Sequence, residues 1–153
     1  RELLLDREHT GLEKLRGFFP RAIDRFLHCA EDRLFARLLM ETNMLALRLQ
    51  SLTEQTAPFY EKLIIEGNRD GSMRVENPKA AAQLAAVLLN IWCMPVIPGT
   101  AQEYYERFVL MRSQLEALGA PVIDDELLEQ CRRFSCELEA AALRSLGYRR
   151  EEG

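Results

Sequence analysis

Apolar residues recur along this chain at spacings of three and four over several long stretches, the period of an amphipathic α-helix, and no convincing strand pattern competes with them. Over 10–30 the stripe is Leu12, Leu15, Phe18, Phe19, Ile23, Phe26 and Leu27. Pro20 interrupts it. A mid-helix proline removes a donor and clashes with the preceding turn, so a bend near Phe19 or a division of the helix is expected. A shorter amphipathic segment follows over 32–40, with Leu34, Phe35, Leu38 and Leu39. The longest pattern covers 43–66, where Leu45, Leu49, Leu52, Phe59 and Leu63 share a face and Thr56 and Pro58 are local irregularities. Gly67 is placed to cap that helix, and Asn68 to Gly71 reads as a turn.

Asn77-Pro78 is a good helix start, because Asn accepts hydrogen bonds at the N-cap and Pro at the first helical position gives up no needed donor. The helix it opens, 78–94, has an unusual distribution. Lys79, Gln83 and Asn90 form one narrow polar stripe, while Ala81, Ala85, Leu88 and Trp92 cover one apolar side and Val87, Ile91 and Met94 another. Such a helix is buried nearly all round. It is therefore expected to meet its own core on one side and a second subunit on the other. Two helices follow. Residues 101–118 carry Tyr104, Phe108, Met111, Leu115 and Leu118 before Gly119 and Pro121; Asp124 and Asp125 then open a last stripe of Leu127, Cys131, Phe134, Leu138 and Ala141, stopped by Gly147. The fold class expected is all-α, one bundle of about six helices.

Composition narrows the partners. The 153 residues suit one domain with one core. A net charge of −4, with basic residues scattered among acidic ones, leaves no cationic stripe for a nucleic-acid backbone. The uncharged stretch from Ala80 to Gln102 is broken by Pro95, Pro98 and Gly99, which leaves about fifteen residues where a membrane span needs ~20. Cys29, Cys93, Cys131 and Cys136 form no Cys-x-x-Cys pair, and Cys131 and Cys136 stand roughly 140° apart on a helix, so they do not converge on a metal. Buried free thiols in a reducing, cytoplasmic setting are the expectation.

Catalytic chemistry finds little purchase. His9 and His28 are the only histidines, no glycine-rich phosphate loop or Gly-x-Ser-x-Gly elbow occurs, and Asp6 beside His9 is an ordinary surface pair. No catalytic residue, metal or cofactor is expected. A pocket suits the residues better: Phe26, Met40, Met44, Phe59 and Trp92, with Leu52 and Leu88, would supply adaptable apolar walls, and His28, Arg48 and Asn90 polar anchors. Each of these is otherwise ordinary packing, and Arg48, set among Leu45, Leu47, Leu49 and Leu52, can also point to solvent.

Ile65-Glu66-Gly67-Asn68-Arg69-Asp70-Gly71-Ser72 followed by Val75-Glu76-Asn77-Pro78-Lys79-Ala80-Ala81-Ala82 resembles the tetracycline-repressor (TetR) family, in which a long helix ends in Glu-Gly, a Gly-containing turn follows and the next helix begins Asp/Asn-Pro-x-x-Ala-Ala. Arg1-Glu2-Leu3-Leu4 looks like the helix start that follows that family's helix-turn-helix head. The resemblance implies a connection over 1–9, a regulatory domain over 10–148 and a tail over 149–153, with the DNA-binding head upstream and outside this chain. It also implies a homodimeric repressor that binds a small, mostly apolar effector and contacts DNA only through that head. The helices over 78–94 and 101–118 would pair as a four-helix bundle, through Ala80, Val87, Ile91, Met94, Tyr104, Phe108, Met111 and Leu115. The effector would bias the dimer between two arrangements that hold the heads at different separations. The competing expectation is a helical oligomerisation module with no ligand, in which every aromatic is core.

Overall fold

The computed structural model describes residues 2–30 and 42–145. The amphipathic segment over 32–40, Met40, the side chain of Cys29 and the helix stop at Gly147 lie outside the described residues. Among the described residues every regular element is helical. They are α1 (Glu2–Leu5), α2 (Gly11–Ala30), α3 (Thr42–Ser51), α4 (Ala57–Asp70), α5 (Pro78–Val87), α6 (Ala101–Ala117) and α7 (Asp125–Ser145). A π-helical segment, Leu52–Thr56, joins α3 to α4 without a break, and a second, Leu88–Trp92, extends α5. The described residues thus make six helical rods.

Local chemistry accounts for the starts and irregularities. Thr10 and Glu13 exchange hydrogen bonds in a capping box ahead of α2, and Thr100 with Glu103 does the same at α6. The Asn77 side chain accepts from the Ala80 N–H at 3.1 Å, and Asp124 Oδ1 accepts from the Leu127 N–H at 2.8 Å. Each π segment lies just before a proline, Pro58 or Pro95. The widened turn makes room for a ring that clashes with an ordinary helical turn, and it leaves i→i−5 bonds such as Cys93 N–H to the Leu88 carbonyl, 2.9 Å. Pro20, by contrast, is carried inside α2, which is not divided there.

Neighbouring helices pack around one core. α2 packs against α4 and α7, α4 against α5, and α6 against α7. α5 and α6 approach each other where Leu84 of α5 and Leu118 after α6 line one groove, and the end of the α5 rod meets α6 where Cys93 Sγ lies 3.9 Å from Met111 Sδ. Inside the core lie Leu15, Phe19 and Ile23 of α2, Tyr60, Leu63 and Ile64 of α4, Leu89, the α6 residues Tyr104, Phe108, Met111 and Leu115, and Leu127, Cys131 and Leu138 of α7. Ala81, Ala82, Ala85 and Ala86 are all buried, so α5 presents a smooth face that lets its backbone come close to α4.

Two expectations about glycines and turns change. α4 continues through Gly67 and Asn68 to Asp70, and the left-handed cap is Gly71, φ +82°, so the turn begins later than the glycine spacing suggests. Gly67 instead serves a close helix crossing. A side-chain carbon on Gly11 would stand 2.3 Å from the Gly67 nitrogen and from the Leu63 carbonyl oxygen, a contact only glycine avoids. The same crossing fastens the start of α2 to the end of α4. Asp70 Oδ2 accepts from the Gly11 N–H at 2.8 Å, Ser72 Oγ accepts from the Leu12 N–H, and the buried Lys14 ammonium donates to Glu66 and to the Asp6 carbonyl at the end of α1.

Candidate functional site

The residues expected to anchor a ligand are partly gathered. Arg48, one turn after Met44 on α3, is half-buried; its guanidinium lies 5.4 Å from the centre of the Phe26 ring and donates through Nη2 to the Asn90 carbonyl at 2.9 Å. Backbone chemistry explains that last bond. The Met94 N–H turns to the Ile91 carbonyl and Pro95 has no N–H, so the Asn90 carbonyl lacks the donor a continuing helix would supply, and Arg48 fills the place. A cation at a helix C-terminus also sits well with the helix dipole. Arg107 caps the same end, donating to the Trp92, Ile97 and Pro98 carbonyls. Arg48 therefore ties α3 to the end of the α5 rod.

One level along α2, aromatic rings meet. Phe18 and Phe59 stand 5.1 Å apart centre to centre, and Tyr60 meets Phe18 edge-on at 5.6 Å and Phe19 at 5.9 Å. Phe26, Phe59, Leu88 and Trp92 are half-buried and pack against the core, and Leu52 is buried in the π segment that rests on α5. His28 is exposed and does not join them.

Tyr60 escaped the sequence expectations. It is fully buried, its hydroxyl lies beside the Asn90 carboxamide without a hydrogen bond of ordinary geometry, and burial pushes its ionisation well above the usual phenol range. The signal was present: Ala57, Tyr60, Leu63 and Ile64 fall on one helical stripe, which puts a hydroxyl among core positions. Asn90 also donates through Nδ2 to the Ala86 carbonyl, 2.9 Å away.

The residues expected at a subunit interface divide. Ala80 and Val87 are exposed and Ile91 is half-buried. Met94, Tyr104, Phe108, Met111 and Leu115 are 2% exposed or less, so they are taken up by the chain's own core and do not form the surface expected of them. The physical reason is that α6 has two apolar stripes, and the stronger one faces the common core. The weaker stripe, with Val109, Leu110 and Leu118, stays exposed, as do Leu84 and Val87 on α5. Ala80, Leu84, Ala117 and Leu118 line a groove of about 280 Å³ where the start of α5 runs beside the end of α6. A groove of about 400 Å³ between α2 and α7, lined by Pro20, Arg21, Asp24, Gln130, Arg133, Phe134 and Glu137, contains none of the expected site residues.

Among the described residues no cluster of His, Cys, Asp and Glu is placed to hold a metal, and no helix is long and apolar enough to cross a membrane. Cys93 and Cys131 are buried, and burial pushes both thiols up to about 12. His9 Nδ1 and Asp6 Oδ2 meet at 2.7 Å on the surface. What the arrangement offers chemically is apolar walls and hydrogen bonds. No protein-family model matches the chain, and no significant match is found among curated proteins or among solved structures.

Proposed function

We propose that this chain is the regulatory half of a dimeric TetR-like transcriptional repressor: it binds a small, mostly apolar effector, pairs with a second copy, and controls DNA binding by a helix-turn-helix head encoded upstream, without catalysing a reaction. The observation that carries this reading is the exposed apolar strip on α5 and α6. Leu84, Val87, Val109, Leu110 and Leu118 are each more than a third exposed, and Leu84 and Leu118 line one groove; Leu5, Leu47, Leu49, Ile97 and Leu143 are exposed singly elsewhere on the described surface. A surface strip of this kind marks an association site. Its two helices are the pair that the resemblance at Glu66-Gly67 and Asn77-Pro78 nominates, with the contact residues moved to the outward stripe.

The coupling route follows from α4. Phe59 and Tyr60 lie near its start, in the aromatic cluster; Glu66, Gly67 and Asp70 lie near its end, fastened to Lys14, Gly11 and the carbonyl of Asp6. A ligand that shifts α4 by differential affinity for two arrangements is felt at α1, next to the place where the head would join.

Sedimentation equilibrium tests the assembly. The wild type is expected to be a dimer, and Leu84→Glu combined with Leu110→Glu a monomer with the same helical circular dichroism; a dimer that survives both changes refutes the strip as the interface. A thermal-shift screen against a metabolite and drug library tests the ligand. A saturable shift supports an effector site, whereas a filled-core oligomerisation module gives none.

A further inference from the structure

Between the middles of α2 and α7 runs an open groove of about 400 Å³ whose charges the fold leaves unused. Arg21 and Asp24 line it from α2, and Arg133 and Glu137 from α7. Each pair stands three or four residues apart, the spacing at which opposite charges on one helix can meet. Yet all four side chains are exposed, and among the described residues none of them makes an ion pair or a hydrogen bond. The apolar part of the groove is Pro20 and Phe134. Phe134 packs against the core but is only half-buried, since the apolar residue that α2 sets in the same groove is Pro20, whose compact ring leaves the space unfilled.

We propose that this groove binds a small zwitterion with a flat apolar body, in the class of an aromatic amino acid. The ligand carboxylate takes the guanidinium groups of Arg21 and Arg133, its ammonium group takes the carboxylates of Asp24 and Glu137, and its ring lies against Phe134 and Pro20. The site shares no residue with the aromatic cluster or with the exposed strip on α5 and α6, so it does not rest on the repressor reading. A carboxylate alone would meet two guanidinium groups but also two carboxylates, and an amine alone meets the reverse conflict. A ligand carrying both charges pairs with every group, and its mismatched relatives are rejected by the same side chains that would hold it. Guanidinium suits the task because its planar fork donates two parallel hydrogen bonds to one carboxylate. Because the groove is open, both ligand charges keep part of their hydration, and desolvation does not cancel the attraction as it would in a closed core. The volume falls within the ~300–1,000 Å³ of small-molecule sites, and the aromatic floor supplies apolar area and a ring to stack on.

Three probes with one ring separate the possibilities: L-tryptophan, which carries both charges, indole-3-propionate, which keeps the carboxylate, and tryptamine, which keeps the ammonium group. Each is titrated calorimetrically into the whole chain at low salt. Tryptophan is expected to bind saturably, with the other two at least about tenfold weaker, because each has lost one charge-assisted contact and keeps one repulsion. Arg21→Gln combined with Arg133→Gln is expected to weaken tryptophan about tenfold without weakening tryptamine, and Asp24→Asn combined with Glu137→Gln to weaken tryptophan equally without weakening indole-3-propionate. These four positions are on the surface, so helical circular dichroism and Tm should stay as in the wild type and separate lost binding from lost folding. Absence of saturable tryptophan binding overturns the proposal. So does a single-charge probe that binds as tightly as tryptophan, which would make the groove a plain anion or cation site. An unchanged tryptophan affinity in either folded double variant overturns it as well, because tryptophan then binds elsewhere or uses one sign of charge only.

Discussion

Gly11 and Gly67 face each other where α2 crosses α4, yet they are not equally replaceable. An added carbon on Gly11 meets backbone at 2.3 Å, which cannot yield without moving a helix; on Gly67 it meets the Met73 methyl at 2.4 Å, the far end of a flexible side chain. Gly11→Ala is therefore expected to lower stability by about 1–3 kcal/mol and Gly67→Ala by clearly less, as measured by urea denaturation. Equal losses would show that the crossing is not as rigid as this packing implies. The thiols give a second residue-scale test. Cys136 is exposed, whereas Cys93 and Cys131 are buried and held protonated. Peptide-level mass spectrometry after mild alkylation at pH 8 should find Cys136 modified well before the other two, because the thiolate is the reactive form. Early modification of Cys93 would mean that the seam between α6 and the α5 rod opens readily.

Helices here are fixed at their ends as much as along their faces. The start of α2 is capped from a distant part of the chain: Asp70 accepts from the Gly11 N–H, and Ser72 from that of Leu12. Burial works against ionisation of Asp70, but the hydrogen bonds from Ser72 and from Gly11 outweigh it and hold the carboxyl below its ordinary value of 3.8. A carboxyl whose folded pKa is depressed contributes stability above its unfolded pKa and loses it as the pH falls through the folded one. Asp70→Asn should thus be less stable than wild type at pH 7, and the deficit should shrink as the pH falls below about 4. A deficit independent of pH would assign the loss to packing. Most of these elements are legible in the chain. The caps at Asn77, Thr100 and Asp124 and the stripes of α2 and α7 follow from local chemistry alone. The end of α4 does not, because Gly67 and Gly71 are equally good local stops, and only contact with Gly11 and Met73 makes the first of them a crossing point.

At the scale of the whole molecule, the bundle of helices divides its apolar residues between a core and an outward strip. The helix over 78–94 looked buried all round; in the structure Leu84 and Val87 remain 41% and 42% exposed, while Ala81, Ala82, Ala85 and Ala86 are covered. The dimer proposed through Leu84 and Leu110 would use surface left over after folding; Tyr104, Phe108, Met111 and Leu115 could not be assigned to core or interface by periodicity, because apolar spacing reports that a side chain leaves water, not which neighbour removes the water.

The sequence by itself determined the helical class, the starts of the helices and the stripes that make the core, since these depend on residues three or four apart touching one another or their own backbone. The tertiary structure alone decided three further matters. It set Arg48 on the orphaned carbonyl of Asn90, it enclosed the Tyr60 hydroxyl beside the Asn90 carboxamide, and it turned one stripe of α6 inward and the other outward. Each joins residues tens of positions apart, and no local pattern encodes such a meeting, because the free energy that selects it is the burial shared among all the helices at once.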